Sequence, residues 1–448
     1  MSTFRPIHHG RWGRRRGMAS ASGLLAASDG CCYGEALGSQ AKFSDRSGDS
    51  GAAPAPRMKF VIFGLTISSS WGNGHATLWR GLGRALARRG HRVVFFERDV
   101  SYYPAQRDLT DWPDGELCLF TDWAEALPRA RQHLAEADVA IVTSYCPDGV
   151  AATQLVIESE APAKVFYDLD TPVTLDAVAS GRAVTYIGPR GLADFDLVLS
   201  FTGGRALDEL RTKLGARRVA PLYGSVDPEV HHHVAPQSRF RADLSYLGTY
   251  AEDRQATLEA LFLEPARRLP ERRFLIGGAQ YPTVFPWLDN VFFAQHLEPA
   301  QHPAFFSSSR LTLNVTRRAM KAMGYCPSGR LFEAAACGTP LLTDYWEGLD
   351  LFFEPGSEII VARDSDEATA AIELPYGALQ GIAKRARERV LDQHTAAHRA
   401  RELETALEEV GVENRTIDLE SSAPVLRTGD LVEGDRPLRD PRPTTVEA

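Results

Sequence analysis

Tyr325-Cys-Pro-Ser-Gly-Arg-Leu-Phe-Glu-Ala-Ala-Ala-Cys-Gly-Thr-Pro-Leu-Leu-Thr-Asp344 carries the most informative local signals in the chain. Pro327 and Ser328 mark a helix start, since a Ser side chain caps the first orphan backbone N–H groups. A short helix is predicted to about Ala336, stopped at Gly338 and kept from resuming by Pro340. Leu341, Leu342 and Thr343 then begin a buried strand. Between Leu331 and Cys337 every side chain is apolar or small except Glu333. A carboxylate in such a helix faces either solvent or a wet cleft, and Arg330 stands one turn earlier on the same face. The helix start, with Ser328, Gly329 and Arg330, presents N–H groups and a positive dipole end that suit a phosphate. Residue types alone leave two readings open: an ordinary surface Glu–Arg pair, or an anion-binding helix end.

Upstream, the same strand–helix alternation begins at Met58. Lys59–Gly64 reads as a buried strand and Ser68–His75 as a loop of small residues. A helix follows with Leu78, Leu82, Ala85 and Leu86 on one face, and then the strand 91–97. This is a first β-α-β unit. A dinucleotide site with Glu97 on a ribose is the rival reading, but Gly64 to Gly72 is too long a gap for the compact G-x-G-x-x-G turn. Strand-like runs recur at 138–143, 163–167 and 196–201. Asp168 and Asp170 fall just past one strand's carboxyl end, where open α/β sheets place ligands; a helix cap and a solvated turn explain them equally well.

The second half repeats the pattern. Strands are predicted at 243–248, 274–278, 291–293, 311–316 and 341–343, with helices at 254–269 and 328–337 and long amphipathic ones at 377–391 and 394–410. His231, His232 and His233 suggest a metal, yet adjacent side chains splay apart and no flanking carboxylate completes a site, so they read as linker and no metal is expected.

A chain of 448 residues, 44% hydrophobic, can bury two cores. Its net charge of −8 argues against binding nucleic acid through phosphate neutralisation. No apolar run approaches the ~20 residues of a membrane span, which leaves peripheral membrane contact open. The six cysteines show no C-x-x-C spacing, so neither zinc nor disulfides are expected, and a reducing cytoplasm fits. Residues 1–57 and 412–448 lack core-forming residues and read as flexible tails. Arg14-Arg15-Arg16 mimics an export signal, but only Leu24 and Leu25 are strongly apolar after it, and Met58 is a candidate true start.

Glu333-Ala-Ala-Ala-Cys-Gly-Thr-Pro340 resembles the donor-site helix of GT-B glycosyltransferases. The longer run Pro327 to Gly338 is similar to the CgeB-type spore-maturation, family 4-like branch. The resemblance spans about 58–410. It implies an α/β protein of two Rossmann-like domains facing across a cleft: an acceptor domain at 58–235, a donor domain at 236–393, and a last helix at 394–411 packing back on the first. Tyr223-Gly-Ser-Val-Asp-Pro228 resembles the element that precedes the interdomain linker. In such enzymes the glutamate holds ribose hydroxyls, which gives Glu333 that role. Gly248, Thr249, Arg254, Ser328, Gly329 and Arg330 fall on the donor side. His75, which taken alone reads as a cap or packing residue at a helix start, falls in the first loop, where such enzymes often place a catalytic or acceptor-binding histidine; the resemblance makes it the catalytic candidate, with Asn73, Asp168 and Asp170 on the acceptor side. Many members carry another glutamate eight positions earlier; here it is Tyr325, which leaves retention or inversion open. The expected activity is metal-independent transfer from a nucleotide-diphosphate sugar, with no cofactor beyond that co-substrate, to an unknown acceptor. A nucleotide-sugar 2-epimerase and a non-catalytic carbohydrate-binding surface or spore-assembly protein are the alternatives.

Overall fold

The computed structural model of the chain describes residues 57–71, 74–100 and 107–411. The tails expected at 1–57 and 412–448 lie outside these residues, apart from Arg57. In the first half, strands β1 (Lys59–Gly64), β2 (Arg92–Arg98), β3 (Glu116–Phe120), β4 (Val139–Thr143), β5 (Ala163–Asp168), β6 (Leu197–Ser200) and β7 (Val219–Pro221) form one parallel sheet. Its order is β3-β2-β1-β4-β5-β6-β7. The crossovers carry α1 (His75–Arg88), α2 (Trp123–Leu134), α3 (Gly149–Glu158), α4 (Thr171–Ala179) and α5 (Arg205–Leu214). Every residue of β1 is buried, as a parallel strand covered on both faces requires. Val61 and Phe63 enter one apolar layer, and Phe60 and Ile62 the other.

The second half repeats the design with β8 (Leu244–Leu247), β9 (Phe274–Gly278), β10 (Val291–Gln295), β11 (Thr312–Asn314), β12 (Leu341–Thr343) and β13 (Ile360–Val361). They order as β10-β9-β8-β11-β12-β13, again parallel. Both sheets therefore reverse direction beside their first strand, between β1 and β4 and between β8 and β11. Ligands of open α/β sheets bind at such points. The helix expected at 254–269 is α6 (Gln255–Leu258) and α7 (Glu264–Arg268) joined by a π-helical stretch, Glu259–Leu263. Pro265 supplies the cause, because it lacks an N–H and crowds the carbonyl four residues back. Helices α8 (His302–Ser307), α9 (Arg318–Met323), α10 (Gly329–Ala336), α11 (Ser365–Glu373) and α12 (Tyr376–Gln393) complete this half.

Helix α13 (Ala396–Glu408) returns to the first sheet. Ala396, Ala400, Leu403 and Leu407 join Trp79, Leu82 and Leu86 of α1 in one buried layer. Where the chain crosses back, the buried Arg399 donates through Nε to the carbonyls of Tyr223 and Gly224, each at 3.1 Å. Glu404 of α13 is paired with Arg89 and with the buried His91. His91 Nδ1 accepts from the Met58 N–H at 3.0 Å, so its Nε2–H donates to Glu404 at 2.7 Å. Glu404→Ala leaves these donors unanswered and is expected to cost about 3 kcal/mol, as removal of one partner from a buried pair does. Urea melts of the two chains measure this; a loss under about 1 kcal/mol means that apolar contact alone holds α13.

Among the described residues no helix is long and apolar enough to cross a membrane. Cys118, Cys146, Cys326 and Cys337 are buried free thiols.

Candidate functional site

On the first domain, the carboxyl edge of the sheet brings together His75, the first residue of α1, and Asp170, which precedes α4. His75 Nε2 stands 2.8 Å from Asp170 Oδ2, with 11% and 19% of the two side chains exposed. The sequence named both residues but gave no sign of the pairing, since 95 positions separate them. Asp168 lies beneath, wholly buried. Its Oδ1 accepts from the Asp170 N–H and the Thr174 hydroxyl, both at 3.1 Å. Its Oδ2 is buried with no hydrogen bond of good geometry among the described residues, although the Ser144 hydroxyl is near. Burial pushes the Asp168 carboxyl up to about 7, against the Thr174 hydroxyl bond. Asp168 thus supports Asp170 and offers no surface of its own. Asn73 lies outside the described residues.

Glu97 is also wholly buried. Its carboxylate accepts from the backbone of Ile67 and Ser68 and from the hydroxyls of Thr66 and Ser68. The residue that a dinucleotide reading would set on a ribose instead braces the small-residue loop. Tyr145 has no warning in the sequence beyond its place at a strand end. It follows β4 with φ +59, is 40% exposed, and its ring lies 5.1 Å from Tyr186 and 6.1 Å from His75.

On the second domain, Ser328 caps α10 by accepting from the Arg330 N–H at 3.3 Å. A side chain at Gly329 would meet only Glu333 Oε1, at 3.9 Å, so this helix end stays open to an approaching group. Glu333 is nearly inaccessible, and its Oε2 is paired with Arg330. The same oxygen faces His302 Nδ1 at 3.4 Å and His231 Nε2 at 3.6 Å. Burial acts to raise the Glu333 carboxyl, but Arg330 and the two imidazoles outweigh it and hold it well below the usual range. Burial also lowers both imidazoles, His231 to about 4. Two expectations need correction. His231 is a buried member of a cluster rather than plain linker, and the missing carboxylate comes from α10, 102 positions away in the chain. His232 is exposed, and His233 Nδ1 meets the Cys337 carbonyl at 3.1 Å.

Gly248 and Thr249 follow β8. Arg254 folds back so that Nη1 donates to the Thr249 carbonyl at 3.1 Å, and its guanidinium also lies against the buried Tyr246 hydroxyl.

Tyr325 joins the domains. Its ring lies between Gly204 of the first domain and Gly348 of the second, at φ +57 and +84, and a Cβ on either would come within 2.4 Å of it. Its carbonyl accepts from the Gly203 N–H at 3.0 Å. Next to it, the Thr202 hydroxyl meets Cys326 Sγ at 3.0 Å. The Cys326 thiol, pushed up to about 12 chiefly by burial, also feels the charges of Asp170 and Asp168. Asp170 and Asp168 therefore lie near Cys326, which shortly precedes α10.

Residues 254–405 match the family model described as glycosyl transferase-like. No curated protein sequence matches the chain significantly. Among solved structures, sucrose-phosphate synthase from Thermosynechococcus elongatus is similar with TM-score 0.58 at 15% identity, covering 79% of this chain and 99% of its own. HepE of Anabaena, in complex with UDP and glucose, gives 0.57 at 13% identity over 79% of this chain and all of its own. An alpha-glucosyltransferase in complex with UDP-glucose and DNA containing an abasic site gives 0.56 at 12% identity, with the same coverage. This chain therefore has the GT-B glycosyltransferase fold, two Rossmann-like domains of which the second is glycosyl transferase-like in sequence from residue 254 to 405.

Proposed function

We propose that the chain transfers a glycosyl group from a nucleotide-diphosphate sugar on the second domain to a hydroxyl held on the first. The observation that carries this is the His75–Asp170 pair at the switch-point edge of the first sheet, near Cys326, which shortly precedes α10. The acceptor's proton passes to this hydrogen-bonded pair, in which Asp170 orients the imidazole through Nε2. The acceptor oxygen then forms a bond to the anomeric carbon as the carbon–phosphate oxygen bond breaks, and the nucleoside diphosphate leaves with the electron pair. The N–H groups of Gly329 and Arg330 and the guanidinium groups of Arg254 and Arg330 receive that charge, so no metal is required at the phosphates. Glu333 Oε1, on the Gly329 side, takes a ribose hydroxyl. A base acting on the acceptor inverts the sugar; a retained product would leave His75 only an acceptor-holding role.

The run from Pro327 to Gly338 supports the CgeB-type branch, and a nucleotide-sugar user fits the cytoplasm. UDP-glucose heads the donor panel because HepE and the alpha-glucosyltransferase bind UDP or UDP-glucose. GDP-, ADP- and dTDP-sugars follow, with binding read as a raised melting midpoint. A saccharide product supports transfer, an epimerised donor the 2-epimerase, and binding without turnover a saccharide-binding protein.

Glu333→Ala and Arg254→Ala are each expected to weaken donor binding about 10- to 150-fold, the cost of one charged hydrogen-bond partner. The bare nucleoside should sense Glu333 and hardly Arg254. Calorimetry with nucleoside, diphosphate and full donor measures this, and equal losses on the nucleoside would overturn the division of roles.

A further inference from the structure

We propose that His231, His302 and Glu333 form a site for one divalent transition-metal ion of the zinc type, buried beneath the donor side of the second domain. Three distant segments meet there: the interdomain linker, the start of α8, and α10. His302 Nδ1 and Glu333 Oε2 are 3.4 Å apart, His231 Nε2 and His302 Nδ1 3.5 Å, and His231 Nε2 and Glu333 Oε2 3.6 Å. Hydrogen bonds between such atoms favour about 2.7–3.2 Å, so the three are spaced too widely to satisfy one another well. They instead form a nearly equilateral triangle, whose centre lies about 2.0 Å from each corner. That is the length of a Zn–N or Zn–O bond. All three side chains are buried, and buried polar groups need partners. One ion at the centre supplies all three.

Two of the three groups, His302 and Glu333, have the outer hydrogen bonds that metal ligands commonly have, while His231 Nδ1 is buried with no partner among the described residues. His302 donates Nε2–H to the Leu297 carbonyl at 3.1 Å, which fixes the tautomer with the Nδ1 lone pair turned to the centre. Arg330 holds Glu333 Oε2 from outside. A ligating carboxylate is commonly hydrogen-bonded in this way, and its oxygens have lone pairs for both contacts. The protein offers three ligands, N, N and O, which leaves a fourth position for water. Coordination would tie Leu297, just past β10, through His302 to α10 and the linker. The ion's charge would add to that of Arg330 on the side where an anionic donor binds in the reading above, but the site does not depend on that reading.

The test uses the untagged full chain. Its metal content is measured by mass spectrometry; the chain is then stripped with chelator and titrated with Co2+, whose visible absorption reports nitrogen and oxygen ligation. One equivalent of Zn2+ is expected, with Co2+ binding one to one and displaced by Zn2+. His231→Gln and His302→Gln should each weaken Co2+ binding by more than about 100-fold, beyond what loss of an outer partner costs. His232→Ala, on the exposed neighbour, should bind as the wild type does. No uptake by the wild type, or unchanged uptake by His302→Gln, overturns the site; loss in His232→Ala does so too, by moving the ion to the linker surface. Should a Gln variant fail to fold, the wild type still decides. Bound Zn2+ raises its melting midpoint and chelation lowers it, and a midpoint indifferent to both overturns the proposal. Uptake is read without any sugar donor, so it can fail while the transfer reading stands.

Discussion

His75→Ala is expected to lower kcat by about 10²- to 10⁴-fold, the usual worth of a positioned general base. Stability should change by no more than about 1 kcal/mol, because the released Asp170 stands at the N-terminus of α4, where the helix dipole supports its charge. Asp170→Asn keeps the shape and removes the carboxylate that orients the imidazole, so its loss of kcat should run in the same direction. The measurement is steady-state turnover of the donor identified by thermal shift, beside a melt of each variant. A His75→Ala enzyme with unchanged turnover would remove His75 from the chemistry and leave the pair as a brace between α1 and α4.

Asp168→Asn should act on stability, with a pH dependence fixed in sign. The folded chain holds the Asp168 proton up to about 7, whereas an unfolded Asp releases it near about 3.9. Between those values the native state binds the extra proton, so this carboxyl's contribution is full below about pH 4 and declines as pH rises towards 7. Asn retains an acceptor for the Asp170 N–H and Thr174 and has no charge to bury. The stability of Asp168→Asn relative to wild type should therefore rise across that window and level off above it. The rise is on the order of 4 kcal/mol, since each pKa unit is worth about 1.4 kcal/mol. Denaturant melts at pH 4.5, 6 and 8 measure it. A constant difference across the series would mean that Asp168 ionises normally in the fold.

Much of the fold was legible because buried parallel strands are continuous apolar runs. β1, β9 and β12 begin and end where Lys59–Gly64, Phe274–Gly278 and Leu341–Thr343 were read. β3 was missed: Glu116–Phe120 is an edge strand whose side chains alternate in exposure, so it has no solid apolar run. β7 is only three residues long and ends in Pro221, beyond the reach of periodicity. At the site, the N-cap at Ser328 is local chemistry and was read correctly. The cluster of His231, His302 and Glu333 was not, because spacing along the chain says nothing about groups 71 and 31 positions apart. The same limit hid Tyr325, whose neighbours Gly204 and Gly348 come from different domains.

The return of α13 to the first sheet has a consequence for how the protein is made. Trp79, Leu82 and Leu86 leave the ribosome early, yet the residues that cover them, Ala396 to Leu407, follow roughly 310 positions later. At about 5–20 residues per second, that layer stays open for about 15 to 60 seconds of translation. The whole second domain emerges in the interval. The amino-terminal domain therefore cannot be finished first, as vectorial synthesis would otherwise favour. Its exposed helix face during elongation is the surface where a nascent-chain chaperone has most to protect.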